Sequence, residues 1–130
     1  MAAWQFDLYF ILRGEQPPNL AAEGWDSPPL PLSLVYEVQA ELAHYLGPPW
    51  FMLQDWLVFG PENGNRIDVL FETDDTGSIF VRCDVRQEAP QFLVLVCNLA
   101  YAHSCVLFSP QSRQLIEPSL ETLSAAMSSR

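Results

Sequence analysis

The sequence predicts an α+β fold, a mainly antiparallel sheet of about five strands with helices packed on one side. Three observations carry that expectation. Several stretches alternate apolar and polar residues, the period of a strand with one buried face. The strands in the middle of the chain are separated by turns of five or six residues, too short for the crossover that a parallel pair needs. Two longer stretches repeat apolar residues every three or four positions, as an amphipathic helix does. With 130 residues, 49% of them apolar and 17% charged, the chain is sized for one domain, residues 1–130, whose core needs neither disulfide nor metal.

Taken in order, Trp4 to Leu12 alternates, with Trp4, Phe6, Leu8, Phe10 and Leu12 on one side, and reads as a strand. Gly14 to Pro31 holds five prolines and two glycines and reads as a long loop, with Trp25 flanked by Glu23 and Asp26. A helix follows from Leu34 to Leu46. Ser33 is placed to cap it, Leu34, Val38, Leu42 and Tyr45 form its inward stripe, and Gly47-Pro48-Pro49 stops it. Trp50 to Phe59 is apolar on both faces and reads as one central strand, which favours the core for Trp50 and Trp56. These two, with Trp25, Tyr36 and Tyr45, are also the aromatics that could anchor an interface. Asn63-Gly64 marks a turn. Strands Arg66 to Glu72 and Ser78 to Arg86 come next, then a helix from Pro90 to His103, a strand from Cys105 to Ser109 and a helix beginning near Pro118. The order is β-α-β-β-β-α-β-α.

Charge suggests a register for the third and fourth strands. Arg66, Asp68, Leu70 and Glu72 share one face, as do Ser78, Phe80, Arg82 and Asp84, leaving Ile67, Val69, Phe71, Ile79, Val81, Cys83 and Val85 for the core. A five-residue turn, Thr73 to Gly77, sets Arg66 opposite Asp84 and Asp68 opposite Arg82. A slip of two residues would set Arg66 against Arg86 and Asp68 against Asp84. Opposed unlike charges help by about a few tenths of a kcal/mol and like charges cost as much, which favours the first register. Arg66, Asp68, Arg82 and Asp84 are then expected to form a structural ionic grid.

The charge balance narrows the function. Sixteen acids stand against six bases, all arginine, for a net charge of −10. A chain this acidic lacks the cations that displace counterions from phosphates, or that dock on anionic lipid, so neither nucleic acid nor a membrane is an expected partner. No apolar run reaches the length of a membrane span, and the first residues lack a basic leader, so a cytoplasmic protein is expected. Residues 1–45 and 46–75 each carry −5, and residues 76–130 carry none. Concentrated in the first 75 residues, that charge can steer a basic partner.

No enzyme motif emerges. Cys97, His103 and Cys105 suggest a thiol–imidazole pair, but a reactive thiolate needs an electropositive setting, and this chain supplies the reverse. Three cysteines (Cys83, Cys97 and Cys105) are read as reduced core thiols. His44, His103 and Cys105 have no metal-ligand spacing. Asp74 and Asp75 lie at a turn tip between threonines, where solvation keeps carboxylates ordinary. No catalytic residue, cofactor or metal is expected.

Asp55-Trp56-Leu57-Val58-Phe59-Gly60-Pro61-Glu62-Asn63-Gly64-Asn65-Arg66-Ile67-Asp68, followed by Val81-Arg82-Cys83-Asp84-Val85-Arg86, Leu107-Phe108-Ser109 and Ile116-Glu117-Pro118, resembles the small acidic immunity proteins that bacteria make beside secreted antibacterial toxins. The resemblance implies a protein that binds its cognate toxin and occludes the active or substrate site. A nuclease toxin suits the charge, since a surface that grips phosphates also grips carboxylates. Expected contacts are Glu62, Glu72, Asp74 and Asp75 at the hairpin ends and Glu23, Trp25 and Asp26 in the loop, from a monomer or weak dimer. Two further readings stand beside this one. Acidic secretion chaperones are similar in size and charge, although they usually open with a helix, and a small-ligand regulatory domain could use the space beneath the Pro-rich loop.

Overall fold

The computed structural model describes residues 2–129; Met1 and Arg130, the ends of the expected 1–130 unit, lie outside the described residues. It is an α+β structure built on an eight-stranded, antiparallel sheet. The strands are β1 (Gln5–Leu12), β2 (Asn19–Ala21), β3 (Gly24–Asp26), β4 (Leu30–Pro31), β5 (Trp50–Leu53), β6 (Trp56–Phe59), β7 (Arg66–Phe71), β8 (Thr76–Asp84), β9 (Cys105–Ser109) and β10 (Gln114–Ile116). The helices are α1 (Leu32–Leu46), α2 (Pro90–Ala102) and α3 (Leu120–Ser128). The main sheet runs β10-β9-β1-β8-β7-β6-β5, with β4 added beside β8; β2 and β3 form a separate hairpin.

The alternation read in the first strand decides which face is the core. Phe6, Leu8 and Phe10 join Ile67, Val69, Ile79, Val81 and Cys83 in one buried cluster with Leu34, Val35, Val38 and Leu42 of α1, Val96 and Leu99 of α2 and Leu123 of α3. All three helices therefore lie on one side. The other face carries a smaller cluster, Ile11, Val106 and Phe108, packed by Tyr9 and Trp25, and is otherwise helix-free.

Several expectations are corrected. Trp50 to Phe59 is not one central strand. It folds back at Gln54-Asp55 into β5 and β6, and β5 forms the outer edge of the sheet; the centre belongs to β1 and β8. Trp50 is accordingly exposed, with its indole Nε1 donating to the Gly60 carbonyl, instead of serving the core. The Pro-rich segment is not all loop, for it contains the β2–β3 hairpin and the β4 bridge. Helix α1 starts at Leu32 after Pro31, whose extended backbone caps it without a side-chain bond, so Ser33 is not the cap. Tyr45 points outward on that helix and is exposed. A further short strand, β10, was not anticipated.

The register of the third and fourth predicted strands also differs. Arg66 stands opposite Arg82, and Asp68 opposite Phe80. The reason is a tighter turn. Glu72 N–H and Thr73 N–H both donate to the Thr76 carbonyl, and Thr73 Oγ1 accepts from the N–H groups of Asp75 and Thr76. Thr76 and Gly77 therefore belong to the strand, and the pairing shifts by two. A residue with a Cβ would not fit at Gly77, since that atom would come within 2.5 Å of the Leu70 carbonyl and 3.1 Å of Val35 Cγ2. The like charges this register opposes are neutralised elsewhere. Arg66 bonds Asp68 two residues along its own strand, Arg82 lies 3.9 Å from Asp7 on β1, and Asp84 pairs with Arg86. The expected grid is thus replaced by pairs along strands and across to β1.

Gly77→Ala should lower the stability of the fold by about 1–3 kcal/mol, the usual cost of forcing a carbon into a filled site. Urea unfolding followed by circular dichroism measures it. An unchanged midpoint would mean that the turn alone sets the register.

Candidate functional site

The residues expected to meet a partner occupy three separate places. Glu72, Asp74 and Asp75 are exposed at the β7–β8 turn. Glu62 is exposed in the β6–β7 turn, at the other end of β7. Glu23, Trp25 and Asp26 sit on the β2–β3 hairpin beside β9. Trp25 is half-buried, with its ring 5.2 Å from that of Phe108 and the Arg113 guanidinium 5.8 Å from its centroid. These contacts secure the hairpin to the sheet.

One of these places adjoins an apolar surface at the edge of the sheet, of which the sequence singles out Tyr36 but not Phe51. Because β5 is the last strand, Phe51 and Leu53 are 61% and 64% exposed. Tyr36, on the neighbouring turn of α1, is 56% exposed and packs its ring 5.1 Å from Phe71. Tyr36, Phe51, Phe71, Asp55 and Asp74 line one shallow depression of about 430 Å³. The acids around it are held by backbone bonds. Phe71 N–H donates to the Asp55 carbonyl, and Leu32 N–H donates to the Asp75 carbonyl. Among the described residues, Asp55, Glu72, Asp74 and Asp75 form no ion pair; Glu72 accepts from the Ser78 hydroxyl. A contiguous exposed apolar patch rimmed by polar residues is a mark of surfaces that meet another molecule.

The helix-free face holds a second feature. Asp7, Arg82 and Arg66 stand side by side across β1, β8 and β7. Arg66 and Asp68 are only 4% and 6% exposed, and they belong to a connected set of hydrogen bonds. Arg66 Nη2 and Trp56 Nε1 both donate to Asp68 Oδ2, at 3.0 and 2.8 Å, and Arg66 Nη1 donates to the Glu62 carbonyl at 3.0 Å. These residues, with Tyr9 and Phe80, line a cleft of about 500 Å³. Asp84, expected beside them, does not line this cleft, and its bonds with Arg86 hold its carboxyl below the usual carboxylate range. Asp7 is the member the sequence reading passed over. Its signal is an acid inside an otherwise hydrophobic alternation, on the face that the helices leave open.

The thiols behave as buried groups. Burial pushes Cys83 up to about 12 and Cys97 and Cys105 up to about 11, which keeps all three protonated at neutral pH. His103 Nε2 lies 2.8 Å from Glu41 Oε2, tying the end of α2 to α1. Among the described residues no group of three metal-ligating side chains converges, and no helix is long and apolar enough to cross a membrane.

Burial raises the Asp7 carboxyl above its ordinary 3.8, an effect that the Arg82 charge only partly offsets. Such a group binds its proton more readily in the folded state. Folded stability therefore falls as pH rises from the unfolded value through the folded one, and it stays lower above both. Asp7→Asn removes the buried charge and keeps the side chain's shape, so it should raise stability at pH 7. The gain should fade below about pH 4, where the aspartate is itself protonated in both states. Thermal unfolding of both proteins across pH 3–7 checks this. A gain independent of pH, or a loss at pH 7, would contradict it.

No protein-family model matches this chain, and neither a curated protein nor a solved structure does.

Proposed function

We propose that this chain is an immunity protein, a non-enzymatic inhibitor that binds a basic cognate toxin in the cytoplasm and occludes its active or substrate site. The observation that carries the reading is the β5 edge, where exposed Tyr36 and Phe51 line one depression with Asp55 and Asp74, two acids in no ion pair among the described residues. Glu72 and Asp75 lie on the same turn as Asp74. The two kinds of group serve different steps. Carboxylates on rigid turns raise the encounter rate with a cationic surface, while the aromatic side chains supply the desolvated contacts that slow release. A toxin that grips phosphates presents a surface of this complementary kind.

A second copy of the chain is a poorer occupant of the edge, because it brings the same four acids to the contact and a net charge of −10. An extended segment of a secretion effector is the alternative occupant, since β5 offers an unpaired strand edge.

The test begins with capture from the source cell and identification of the bound protein. The reading expects one folded, basic protein that is toxic when expressed alone and harmless when expressed with this chain. A partner held through a disordered segment would favour the chaperone instead. With the partner in hand, Asp74→Arg/Asp75→Arg should slow association about tenfold at low salt, the difference closing toward about twofold near 0.5 M NaCl. Phe51→Ala should raise Kd about tenfold, mainly through faster dissociation. Unchanged rates in both variants would remove the β5 edge from the interface.

A further inference from the structure

The cleft on the helix-free face carries a polar set that the proposed docking does not use. Among the described residues, three buried side-chain atoms have no hydrogen-bond partner: Asp7 Oδ1, Arg82 Nε and Arg66 Nε. All three belong to the single cross-strand row Asp7–Arg82–Arg66, and all three residues line the cleft. Arg66 is the most enclosed of them, its side chain only 5% exposed. Leaving such atoms unpaired is costly, and native folds keep few of them. Asp7 Oδ1 and Arg82 Nε stand 3.9 Å apart, too far to bond each other and close enough to share one bridging group.

The unpaired set is two N–H donors and one oxygen acceptor, and that pattern selects a chemistry. An anion would satisfy the arginines but meet Asp7, Asp68 and Glu62. A cation would satisfy Asp7 but meet Arg66 and Arg82. A neutral carboxamide avoids both conflicts, since it presents a carbonyl oxygen and an N–H₂ side by side. Tyr9, Phe80 and Trp56 along the same cleft suit a flat ring attached to it. We propose that this cleft binds a small planar carboxamide, whose carbonyl accepts from Arg82 Nε and Arg66 Nε and whose N–H₂ donates to Asp7 Oδ1. The three atoms are closed to solvent at rest, so entry takes a small rotation of the Asp7 and Arg82 side chains, each 28% exposed. The cleft lies on the sheet face opposite the helices and Phe71, and Met52 is the one β5 residue among those lining it.

Three flat molecules of nearly one shape separate the possibilities: benzamide is neutral, benzoate anionic and benzamidine cationic. Each is titrated into the isotope-labelled protein while the Trp56 indole N–H, which bonds Asp68, is followed by NMR. Benzamide is expected to give a saturable shift with a Kd at least about fivefold below those of the other two. Arg82→Met should weaken benzamide at least about fivefold, and Arg82→Lys, which keeps the charge and loses the Nε donor, should do the same. Retained amide dispersion shows that each variant is folded. Equal or tighter binding of benzoate or benzamidine, no saturable shift with benzamide, or full affinity in the Lys variant would each overturn the assignment.

Discussion

The pairing of β7 with β8 is the constraint on which the rest of the structure depends. It is fixed at the turn end by the Thr73–Thr76 bonds and by the adjoining Gly77, whose missing side chain lets α1 and the Leu70 carbonyl close in. That register places Ile67, Val69, Ile79 and Val81 on the helix side, where they complete the core with Phe6, Leu8 and Phe10. It also brings Arg66 and Arg82 face to face on the other side. A cross-strand clash of like charges costs about a few tenths of a kcal/mol, whereas turning the apolar set outward would forfeit the burial of several large side chains at about 1.5–3 kcal/mol each. The two-residue alternatives keep the same faces, so between them the turn and the close approach of Val35 decide.

Much of the fold is legible in the sequence because it rests on local periodicity. The alternation from Trp4 to Leu12, the helical repeat from Leu34 to Leu42 and the proline at the start of α2 each name an element and a buried face without reference to the rest of the chain. What is not legible depends on partners distant in sequence. Trp50 to Phe59 is apolar on both faces, as a central strand is, and nothing local shows that it reverses at Gln54-Asp55 to leave Phe51 and Leu53 at an edge. Gly77 reads as a turn residue because glycine has two uses, and only the position of Val35 shows which applies.

The candidate site follows the same division. Acidity at the turn of residues 72–75 is plain in the sequence, but its neighbour, the aromatic edge, exists only after β5 and α1 come together. The hairpin of Glu23, Trp25 and Asp26 is a further case. Its tryptophan reads as an exposed residue in a loop, and only the folded chain shows its ring against Phe108. The cleft is half visible in the sequence, since strand alternation places Arg66, Asp68 and Arg82 on one face. Their pairing was not, because it runs through Asp7 and Trp56 on other strands. The acids at the sheet end and the apolar edge lie toward the helix side of the sheet, and the polar cleft lies on its other face.

The most direct test of the docking account is hydrogen–deuterium exchange of this chain, free and bound to its captured partner. The account predicts slowed exchange in β5 (residues 50–53), the β5–β6 turn and the 72–75 turn, with the β2–β3 hairpin and the 60–65 turn unchanged. Protection confined to the β2–β3 hairpin or the helix-free face, with β5 exchanging as fast as in the free chain, would contradict it.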